Sequence, residues 1–480
     1  MKKTKLVLVL LSLILLLSIF PTPTTAQTNV NCGTNSDIQD ILDQMTETSV
    51  AKWIRDLSGE NPVIIDGEQY TIKTRYTSEL FNPSNQSAKA YPYLTQELIK
   101  LGFVPGVTLH DHDYSIKSYA PKNLDRTIPD PAPIEIEAVG AKNLVLTIPG
   151  HGPNAHEQVL MTAHLDSTSN KPLTEAPGAE DNASGVAALM EAARLFRYYK
   201  FDRTIKIIFF TGEEQGLHGS AAYASDFYSE KENMLGVVNL DMFGYDSDRD
   251  YCMELHVGTM PESNVVGTCF TSTINNYNLG VKVDYLTNEA TNRSDHASFW
   301  NIGVGAVEIL ENYFSNSSSN GCKGIKDQNP HYHRTTDLIQ NMFMPATHRI
   351  AQAGVGTVAS MAGMMGKCFD ANPRLTATPQ ADSIKLTWNA MEGADIYQIY
   401  RGTKTCGGEM SLIAEVTTNS YIDSDIVYGQ TYFYTIRAAE TEGICFSQMS
   451  NCVVAKVPKP EEPPVYDYHI YLPLVIIAEQ

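Results

Sequence analysis

Histidine, aspartate and glutamate residues gather in five short segments of this 480-residue chain, and their types suit a bound metal ion. The five segments are residues 161–166, 177–185, 209–219, 239–241 and 329–337. Carboxylates and imidazoles brought to one edge of a buried sheet would repel one another and lose hydration unless a cation neutralised them. Mixed nitrogen and oxygen donors favour zinc, whereas oxygen donors alone favour calcium or magnesium. The segments together therefore predict a zinc site.

Each segment taken alone has a simpler explanation. His164 and Asp166 have the spacing of a hydrogen-bonded surface pair, and Asp181 has the position of a helix N-cap. Glu213 and Glu214 stand at the start of a helical pattern, where acidic side chains offset the helix dipole. The metal interpretation therefore depends on the segments meeting at one place.

Strand and helix patterns alternate along the part of the chain that carries these segments. Apolar runs predict strands at residues 143–148, 158–163, 204–210, 235–240 and 304–309. Apolar spacing predicts helices at residues 186–199, 216–228 and 345–365. This alternation predicts an α/β domain over residues 141–370, in which helices sandwich a mixed, largely parallel sheet. The polar segments would then share the sheet edge at which open α/β folds place their ligands.

The start of the chain has the pattern of a secretory signal peptide, residues 1–26. Three lysines precede an apolar run at residues 6–20, and the small residues Thr24 and Ala26 follow it. An uncleaved membrane anchor is the alternative. We prefer a cleaved signal, because the apolar run is short for a membrane span.

Three further units flank or follow the α/β domain. Residues 27–140 show helical spacing at 38–57 and 88–101, which predicts a helical extension that packs on the α/β domain. Residues 371–457 contain short alternating strands between turn residues, as in an all-β sandwich. Residues 458–480 predict a Pro/Glu-rich linker and a short apolar tail.

Net charge and cysteine pattern narrow the class of protein. The chain carries a net charge of −20. Nucleic-acid binding needs a basic face, so this charge argues against a nucleic-acid-binding protein. The eight cysteines include no Cys-x-x-Cys pair, which argues against a cysteine-zinc site and, in an exported chain, favours disulfides. Nearness in sequence predicts one bridge between Cys252 and Cys269, and one among Cys406, Cys445 and Cys452.

The five polar segments, in their order, resemble the zinc aminopeptidase family that includes secreted bacterial leucyl aminopeptidases and the yeast vacuolar aminopeptidase Y. Glutamate carboxypeptidase II and glutaminyl cyclase are more distant members of this family. The resemblance covers about residues 140–365. It implies that two zinc ions are held by five side chains, namely His164, Asp181, Glu214, Asp241 and His333.

Within that pattern each ligand has its own place. Asp181 would bridge both ions, and a non-proline cis peptide bond would follow it. His164 and Asp241 would hold one ion, while Glu214 and His333 would hold the other. Imidazole and carboxylate groups are donors that zinc accepts in catalytic sites.

Two further carboxylates match positions that act beside the metal ions. Glu213 matches the general base, and Asp166 matches the carboxylate that orients the first histidine. His331 competes with His333 for the last ligand position. We prefer His333, because its spacing to Asp337 fits the family's His-then-Asp segment.

The resemblance implies a secreted exopeptidase that removes N-terminal residues from peptides. A hydroxide bound to the two zinc ions would attack the peptide carbonyl, with Glu213 as the base. The alternatives are a carboxypeptidase or a glutaminyl cyclase on the same scaffold, and an adhesion protein with an inactive peptidase domain. The expected partners are peptide or protein N-termini, with no nucleic acid and no membrane span in the mature chain. We expect an extracellular monomer, either released or retained at the cell surface.

The sequence departs from the family, or leaves a role open, at three places. Some secreted members carry a Cys-x-x-x-Cys bridge and a tyrosine before a Ser-Asp-His segment, and residues 289–296 have neither. Oxyanion stabilisation would then come from elsewhere, with Arg293 and Tyr245 as candidates. Residues 294–300 predict a helix that lines the pocket rather than a catalytic triad, because no Gly-x-Ser-x-Gly accompanies them. The acidic loop 246–250 lacks the spacing of a helix–loop–helix calcium site, so we interpret it as a solvated turn.

The C-terminal unit resembles a fibronectin type III domain. Trp388 stands at that family's strand B tryptophan position, and Tyr397 and Ile399 fit strand C. Tyr432 would be the corner tyrosine. The resemblance leaves its role open among a spacer, a surface contact and a stabilising unit.

Overall fold

The structure is a computed structural model that describes residues 30–116, 139–314, 322, 326–440 and 444–459. The predicted signal peptide, residues 1–26, lies outside the described residues, and so do residues 460–480 of the predicted linker and tail. Among the helices of the described part, none combines the length and the apolar character that crossing a membrane requires.

The N-terminal segment contributes short helices and a small hairpin. In chain order these elements are α1 (Ser36–Gln44), α2 (Glu47–Leu57), β1 (Val63–Ile65), β2 (Glu68–Tyr70), α3 (Thr77–Leu80) and α4 (Ala90–Leu101). The helical spacing at 38–57 belongs to two helices, because Thr46 is extended and its side chain caps α2 at the Ser49 amide. The helix predicted at 88–101 is confirmed as α4.

A large mixed sheet forms the middle of the chain. The strands in chain order are β3 (Leu109–Ile116), β4 (Val139–Ile148), β5 (Gln158–His164), β6 (Tyr199–Phe201), β7 (Thr204–Phe210), β8 (Met234–Leu240), β9 (Cys252–His256), β10 (Lys282–Leu286), β11 (Ala306–Glu311) and β12 (Met364–Lys367). Strands β6 and β12 pair separately, and the other eight form one sheet in the order β10-β9-β11-β8-β5-β7-β4-β3. Strand β5 is parallel to both β7 and β8, β8 is parallel to β11, and β9 is parallel to β10. The predicted fold class, a mixed and largely parallel sheet, is therefore confirmed.

One edge of the sheet comes from the segment whose spacing indicated only helices. Strand β3, residues 109–116, pairs antiparallel with β4. Its exposed positions carry polar residues such as His110, Asp111 and Asp113. The strand therefore lacks the apolar run by which the central strands are recognised, as is common for an edge strand that is protected by charge.

Helices cover both faces of the sheet. They are α5 (Ala183–Phe196), α6 (His218–Asp226), α7 (Pro261–Asn276), α8 (His296–Trp300) and α9 (Met344–Met361), with short 3₁₀ helices at Tyr228–Asn233 and Ile339–Asn341. Helices α5, α7 and α9 pack with the N-terminal helices on one face, while α6 and α8 pack on the other. Along β7, Ile207 and Phe209 point to the first face, and Ile208 and Phe210 point to the second. The central strands are therefore buried on both sides, as their continuous apolar runs indicate.

The C-terminal unit is built from two antiparallel sheets that enclose their own core. Its strands are β13 (Thr376–Pro379), β14 (Ile384–Thr387), β15 (Ile396–Gly402), β16 (Ser411–Val416), β17 (Ser420–Asp423), β18 (Thr431–Ala439) and β19 (Val453–Lys456). One sheet has the order β13-β14-β17 and the other β16-β15-β18-β19. Leu386 from the first sheet and Ile399 and Ile436 from the second are fully buried in the shared core. This agrees with an all-β sandwich, and the fibronectin type III resemblance stays a prediction.

Four disulfides join distant segments of the described chain: Cys32–Cys269, Cys252–Cys322, Cys368–Cys445 and Cys406–Cys452. The predicted bridge between Cys252 and Cys269 is wrong. Cys252 begins β9 and Cys269 lies inside α7, and each meets a segment that is remote in sequence. The predicted bridge within the C-terminal unit is confirmed as Cys406–Cys452.

Candidate metal centre

The sheet order brings three of the polar segments to one edge. His164 is the last residue of β5, Asp241 follows β8, and Glu213 and Glu214 follow β7 after a short turn. Because β7, β5 and β8 are parallel neighbours, their carboxyl ends lie side by side. Asp181 reaches the same place from the residues before α5.

Asp181 lies between two groups of donor atoms. One carboxylate oxygen of Asp181 is 3.2 Å from His164 Nε2, which is also 3.0 Å from Asp241 Oδ1. The other oxygen is 3.1 Å from His333 Nε2, which is also 2.9 Å from Glu214 Oε2. Each group of three offers ligand atoms within 4.8 Å of one another. The five residues predicted as ligands are thus together, with Asp181 shared.

The two histidines that competed for the last ligand position have different surroundings. His333 faces Asp181 and Glu214, whereas His331 Nδ1 is 2.9 Å from Thr336 Oγ1. His333 has a positive φ of 54°, so the loop turns sharply at the residue that points into the group. The ring of Tyr332 stacks on the His333 imidazole with 3.7 Å between centroids.

The donor groups fit a pair of cations. Burial raises the pKa of Glu214 to about 7, and its Oε1 atom is buried with no hydrogen-bond partner among the described residues. Burial alone would lower the pKa of His333, yet the carboxylates of Glu214 and Asp181 raise it to about 10. The donor atoms stand 2.9–3.2 Å apart, close to the edge of a tetrahedron of zinc ligands, about 3.3 Å. Buried carboxylates that face one another and hold an unused oxygen call for positive charge.

Glu213 is beside both donor groups and belongs to neither. Burial raises the pKa of its carboxyl well above the usual range, and the negative charges of Asp241, Glu214 and Asp295 raise it further. A carboxylate with a raised pKa accepts a proton more readily near neutral pH. The role of Glu213 as the general base stays a prediction.

Asp166 contacts the metal-centre loops in a way that the sequence did not indicate. The backbone carbonyl of Asp166, 3.0 Å from His164 Nδ1, is closer to the imidazole than its carboxylate, at 3.8 Å. The carboxylate instead accepts hydrogen bonds from the amides of Glu213 and Glu214, at 3.3 and 3.2 Å. Thr77 Oγ1 donates to it as well, at 3.0 Å. Asp166 therefore fixes both the ring of His164 and the loop that carries the glutamates.

Asp181 is held by a second aspartate, and a cis peptide bond follows it. Asp337 accepts hydrogen bonds from the amides of Glu180 and Asp181, at 3.0 and 3.1 Å. The predicted cis peptide between Asp181 and Asn182 is confirmed. Asn182 Nδ2 donates to the Leu240 carbonyl at 2.8 Å, which ties this segment to the end of β8.

Arg75 is a supporting residue that the sequence gave no signal for. It is fully buried, and its guanidinium donates to the carbonyls of Leu165 and Gly178, at 2.8 and 2.9 Å. It also donates to the carbonyls of Leu57 and Pro177. Arg75 thereby joins the two loops that follow His164 and precede Asp181. A lone arginine in a helical extension has no sequence pattern that distinguishes it from a surface residue.

The two candidates for oxyanion stabilisation, Arg293 and Tyr245, make recorded contacts with residues other than the predicted metal ligands. The guanidinium of Arg293 lies 5.9 Å from the Phe314 ring centroid. The amide of Tyr245 donates to Glu180 Oε1 at 3.0 Å, and the residue is half-buried. The helix predicted at 294–300 is confirmed as α8, and His296 Nε2 lies 2.9 Å from the Thr291 carbonyl.

Comparison with known proteins shows which described family part of this chain is similar to. Residues 143–358 match the family model described as Peptidase family M28, and this range contains all seven predicted site residues. A probable zinc metalloprotease of Pyrenophora tritici-repentis is 30% identical over 226 residues, which are 46% of this chain and 47% of that protein. Leucine aminopeptidase 1 of Trichophyton equinum is 30% identical over 233 residues, 46% of this chain and 58% of that protein. The chain thus spans about half the length of these relatives.

The LapA aminopeptidase of Legionella pneumophila aligns with 75% of this chain and 80% of its own, at 18% sequence identity and a TM-score of 0.49.

Proposed function

We propose, from the premise that residues 143–358 form a Peptidase family M28 domain, that this chain is a zinc metallopeptidase, and specifically an aminopeptidase. The observation that carries the proposal is the pair of donor groups that share Asp181, with Glu213 beside them and outside both. A ligand set that was complete but lacked a base would suit an inactive, adhesive domain. Here the residues proposed as ligands and the residue proposed as base are all present at one edge of the sheet.

The proposed cofactor is a pair of zinc ions. His164, Asp181 and Asp241 would hold one, and Asp181, Glu214 and His333 the other. Relatives whose names include zinc metalloprotease support the choice of metal, and the mixed nitrogen and oxygen donors agree with it. When bound, zinc would supply a Lewis acid that lowers the pKa of water and polarises the scissile carbonyl.

The protein's own groups would handle the protons. The Glu213 carboxylate would take a proton from the attacking water and deliver it to the leaving amine, as its raised pKa allows. Asp166 would hold Glu213 and Glu214 in place through their amides. Arg75 would keep the flanking loops at a fixed spacing through its four backbone carbonyls.

Excess negative charge supports recognition of a free α-amine. The carboxylates at the centre include those of Asp181, Glu213, Glu214, Asp241 and Asp295, with Asp166 next to them. Two zinc ions would bring four positive charges, fewer than the negative charges of these groups, so net negative charge would remain to attract an ammonium group. A carboxypeptidase would need a cation to seat a carboxylate, and Arg334 is exposed while Arg293 faces Phe314. The charge of the site therefore favours an aminopeptidase.

We also propose that the chain is exported and acts outside the cell as a monomer. The lysines and apolar run at its start support export. The four disulfides of the described residues support an oxidising compartment. Whether the exported chain stays at the cell surface is a separate question, which fractionation of cells and medium answers.

Zinc content and hydrolysis measured on one preparation test the function. We expect about two zinc ions per chain and release of p-nitroaniline from aminoacyl-p-nitroanilides, but not from N-acetylated ones. Chelation should remove the activity, and added zinc should restore it. One zinc ion with cyclisation of N-terminal glutamine would establish a cyclase instead. No metal and no turnover would leave the adhesive alternative.

A further inference from the structure

A second cluster of carboxylates lies in the loop that follows β8. Three of its members alternate along the loop, and the fourth comes from a segment about 80 residues away; they are Asp246, Asp248, Asp250 and Asp327. Each offers a carboxylate oxygen, and these oxygens lie within 4.8 Å of one another. The sequence predicted a solvated turn here, because the loop lacks the spacing of a helix–loop–helix calcium site; the fourth carboxylate, about 80 residues away, was not part of that prediction.

Asp327 supplies an independent indication of a ligand. Its side chain is only 1% exposed, although it carries a charge. Oxygen Oδ1 accepts a hydrogen bond from the amide of Ser247 at 2.6 Å, and the Ser247 hydroxyl donates to the same atom. Oxygen Oδ2 is buried and has no hydrogen-bond partner among the described residues. A buried carboxylate oxygen that no protein group satisfies needs a cation or water.

The charge of the cluster is poorly balanced by the protein. Within the described ranges, the one ion pair recorded for the cluster joins Lys282 Nζ to Asp250 Oδ2, at 3.1 Å. Burial, with the nearby charges of Asp246 and Asp248, raises the pKa of Asp327 to about 6. Because only Asp250 of the four carboxylates has a recorded ion pair among the described residues, net negative charge remains at a partly buried place, and a divalent cation would relieve it.

We propose that this cluster binds a calcium ion, separate from the metal centre. All of its side-chain donors are oxygens, which calcium prefers, and it lacks the imidazole or thiolate that zinc usually takes. Asp246, Asp248 and Asp250 supply three of these oxygens from alternate residues of one loop, although Tyr251 and Val257 stand where a helix–loop–helix calcium site has its glycine and its closing glutamate. The fourth carboxylate comes from Asp327, which is remote in sequence and would complete the set of oxygen ligands.

A calcium ion here would fasten two segments of the metal centre. The loop that carries Asp246 begins a few residues after Asp241, and Asp327 lies on the segment that leads to His333. Hydrogen bonds already join these segments, since Asn329 Nδ2 and the amides of Gly244 and Tyr245 all donate to the Glu180 carboxylate. The inference does not depend on which peptidase reaction the centre performs, because it concerns only how the edge is held together.

Calcium binding to the full chain, equilibrated with zinc so that the metal centre is filled, tests the proposal. Isothermal titration with calcium chloride should show one site per chain with a Kd between about 10⁻⁵ and 10⁻³ M. Calcium should also raise the thermal midpoint of the zinc-loaded chain. Asp248→Asn should weaken binding at least tenfold, and because Asp248 is exposed this substitution should not disturb folding. Asp327→Asn should weaken binding as well.

The matched control is Asp113→Asn, which removes the same charge from an exposed pair with Lys142 on the opposite edge of the sheet. It should leave the calcium Kd unchanged. The proposal is overturned if no saturable binding occurs up to about 10 mM calcium. It is also overturned if Asp248→Asn, like the control Asp113→Asn, binds calcium as tightly as the parent chain does. Zinc content and turnover of the parent, measured in parallel, report separately on the proposed peptidase function.

Discussion

Buried charges are arranged in opposite ways at the metal centre and in the C-terminal sandwich. In the sandwich, Asp423 is 1% exposed, and its carboxylate meets Arg401 Nη1 at 3.0 Å and the Tyr434 hydroxyl at 2.6 Å. At the metal centre, the carboxylates of Glu213 and Glu214 face other carboxylates, and Glu214 keeps an unused oxygen. A buried charge with a complete set of protein partners supports the fold, whereas unbalanced like charges indicate a place for a ligand.

The largest expected effect separates the base from the ligands. Glu213→Gln should lower turnover by about 1,000-fold or more, because the amide cannot accept a proton from water. Both zinc ions should remain, because Glu213 belongs to neither donor group. Turnover of an aminoacyl-p-nitroanilide and zinc per chain are the two measurements. Glu232→Gln, at a side chain that is 82% exposed, is the control that should change neither. Equal zinc loss in Glu213→Gln would contradict the assigned role.

The two histidines of the 329–337 loop provide the next test. His333→Ala should reduce zinc content and lower turnover by more than about 100-fold, because it removes a donor that faces Asp181 and Glu214. His331→Ala removes the same ring from the neighbouring position, where it contacts Thr336. Zinc retention after dialysis should therefore separate the two variants. Similar zinc loss in both would mean that the loop places its histidines differently when metal is bound.

A smaller effect is expected for the support beneath the centre. Arg75→Met should lower the free energy of unfolding by about 3 kcal/mol, because it leaves buried backbone carbonyls without donors. Denaturant unfolding of the zinc-loaded protein measures it. The exposed Arg374 offers the matched substitution, Arg374→Met, with little expected change. A stable Arg75→Met variant would show that water replaces the guanidinium.

The smallest effect should fall in the sandwich and leave the chemistry intact. Asp423→Asn should cost about 2 kcal/mol of stability, because the buried partner of Arg401 and Tyr434 loses its charge. Zinc content and turnover should stay at the parent level below the unfolding temperature. A loss of turnover without unfolding would show that the sandwich acts on the centre, and the contrast between the two regions would fail.

Much of the fold could be predicted because the central strands carry continuous apolar runs. Strand β7 was placed at its observed bounds, and β5 and β8 to within one residue. Strand β3 was not predicted, since its exposed residues are polar and its partner β4 supplies the hydrogen bonds. The predicted pairing of Cys252 with Cys269 was wrong, because two cysteines that are near in sequence need not be near in space. Cys252 begins β9 and Cys269 lies in α7, and each is bonded to a cysteine that is further away in sequence.

Some features of the candidate site could likewise be predicted from the sequence, and others could not. The donor types and their order could be read locally, because they follow strands whose ends must meet at one edge of a parallel sheet. The support from Arg75 and the closure of the acidic loop by Asp327 could not, because each joins segments that are far apart in sequence.

Local sequence thus indicated the polar segments, their donor types and the strands that carry them, and the resemblance to a family implied which five side chains would take zinc. Tertiary structure decided which groups meet. It turned His333 rather than His331 toward Asp181, and it brought Asp327 to a loop about 80 residues away. The physical reason is that periodicity and donor type depend on neighbouring residues, whereas contacts across the sheet depend on the path of the whole chain.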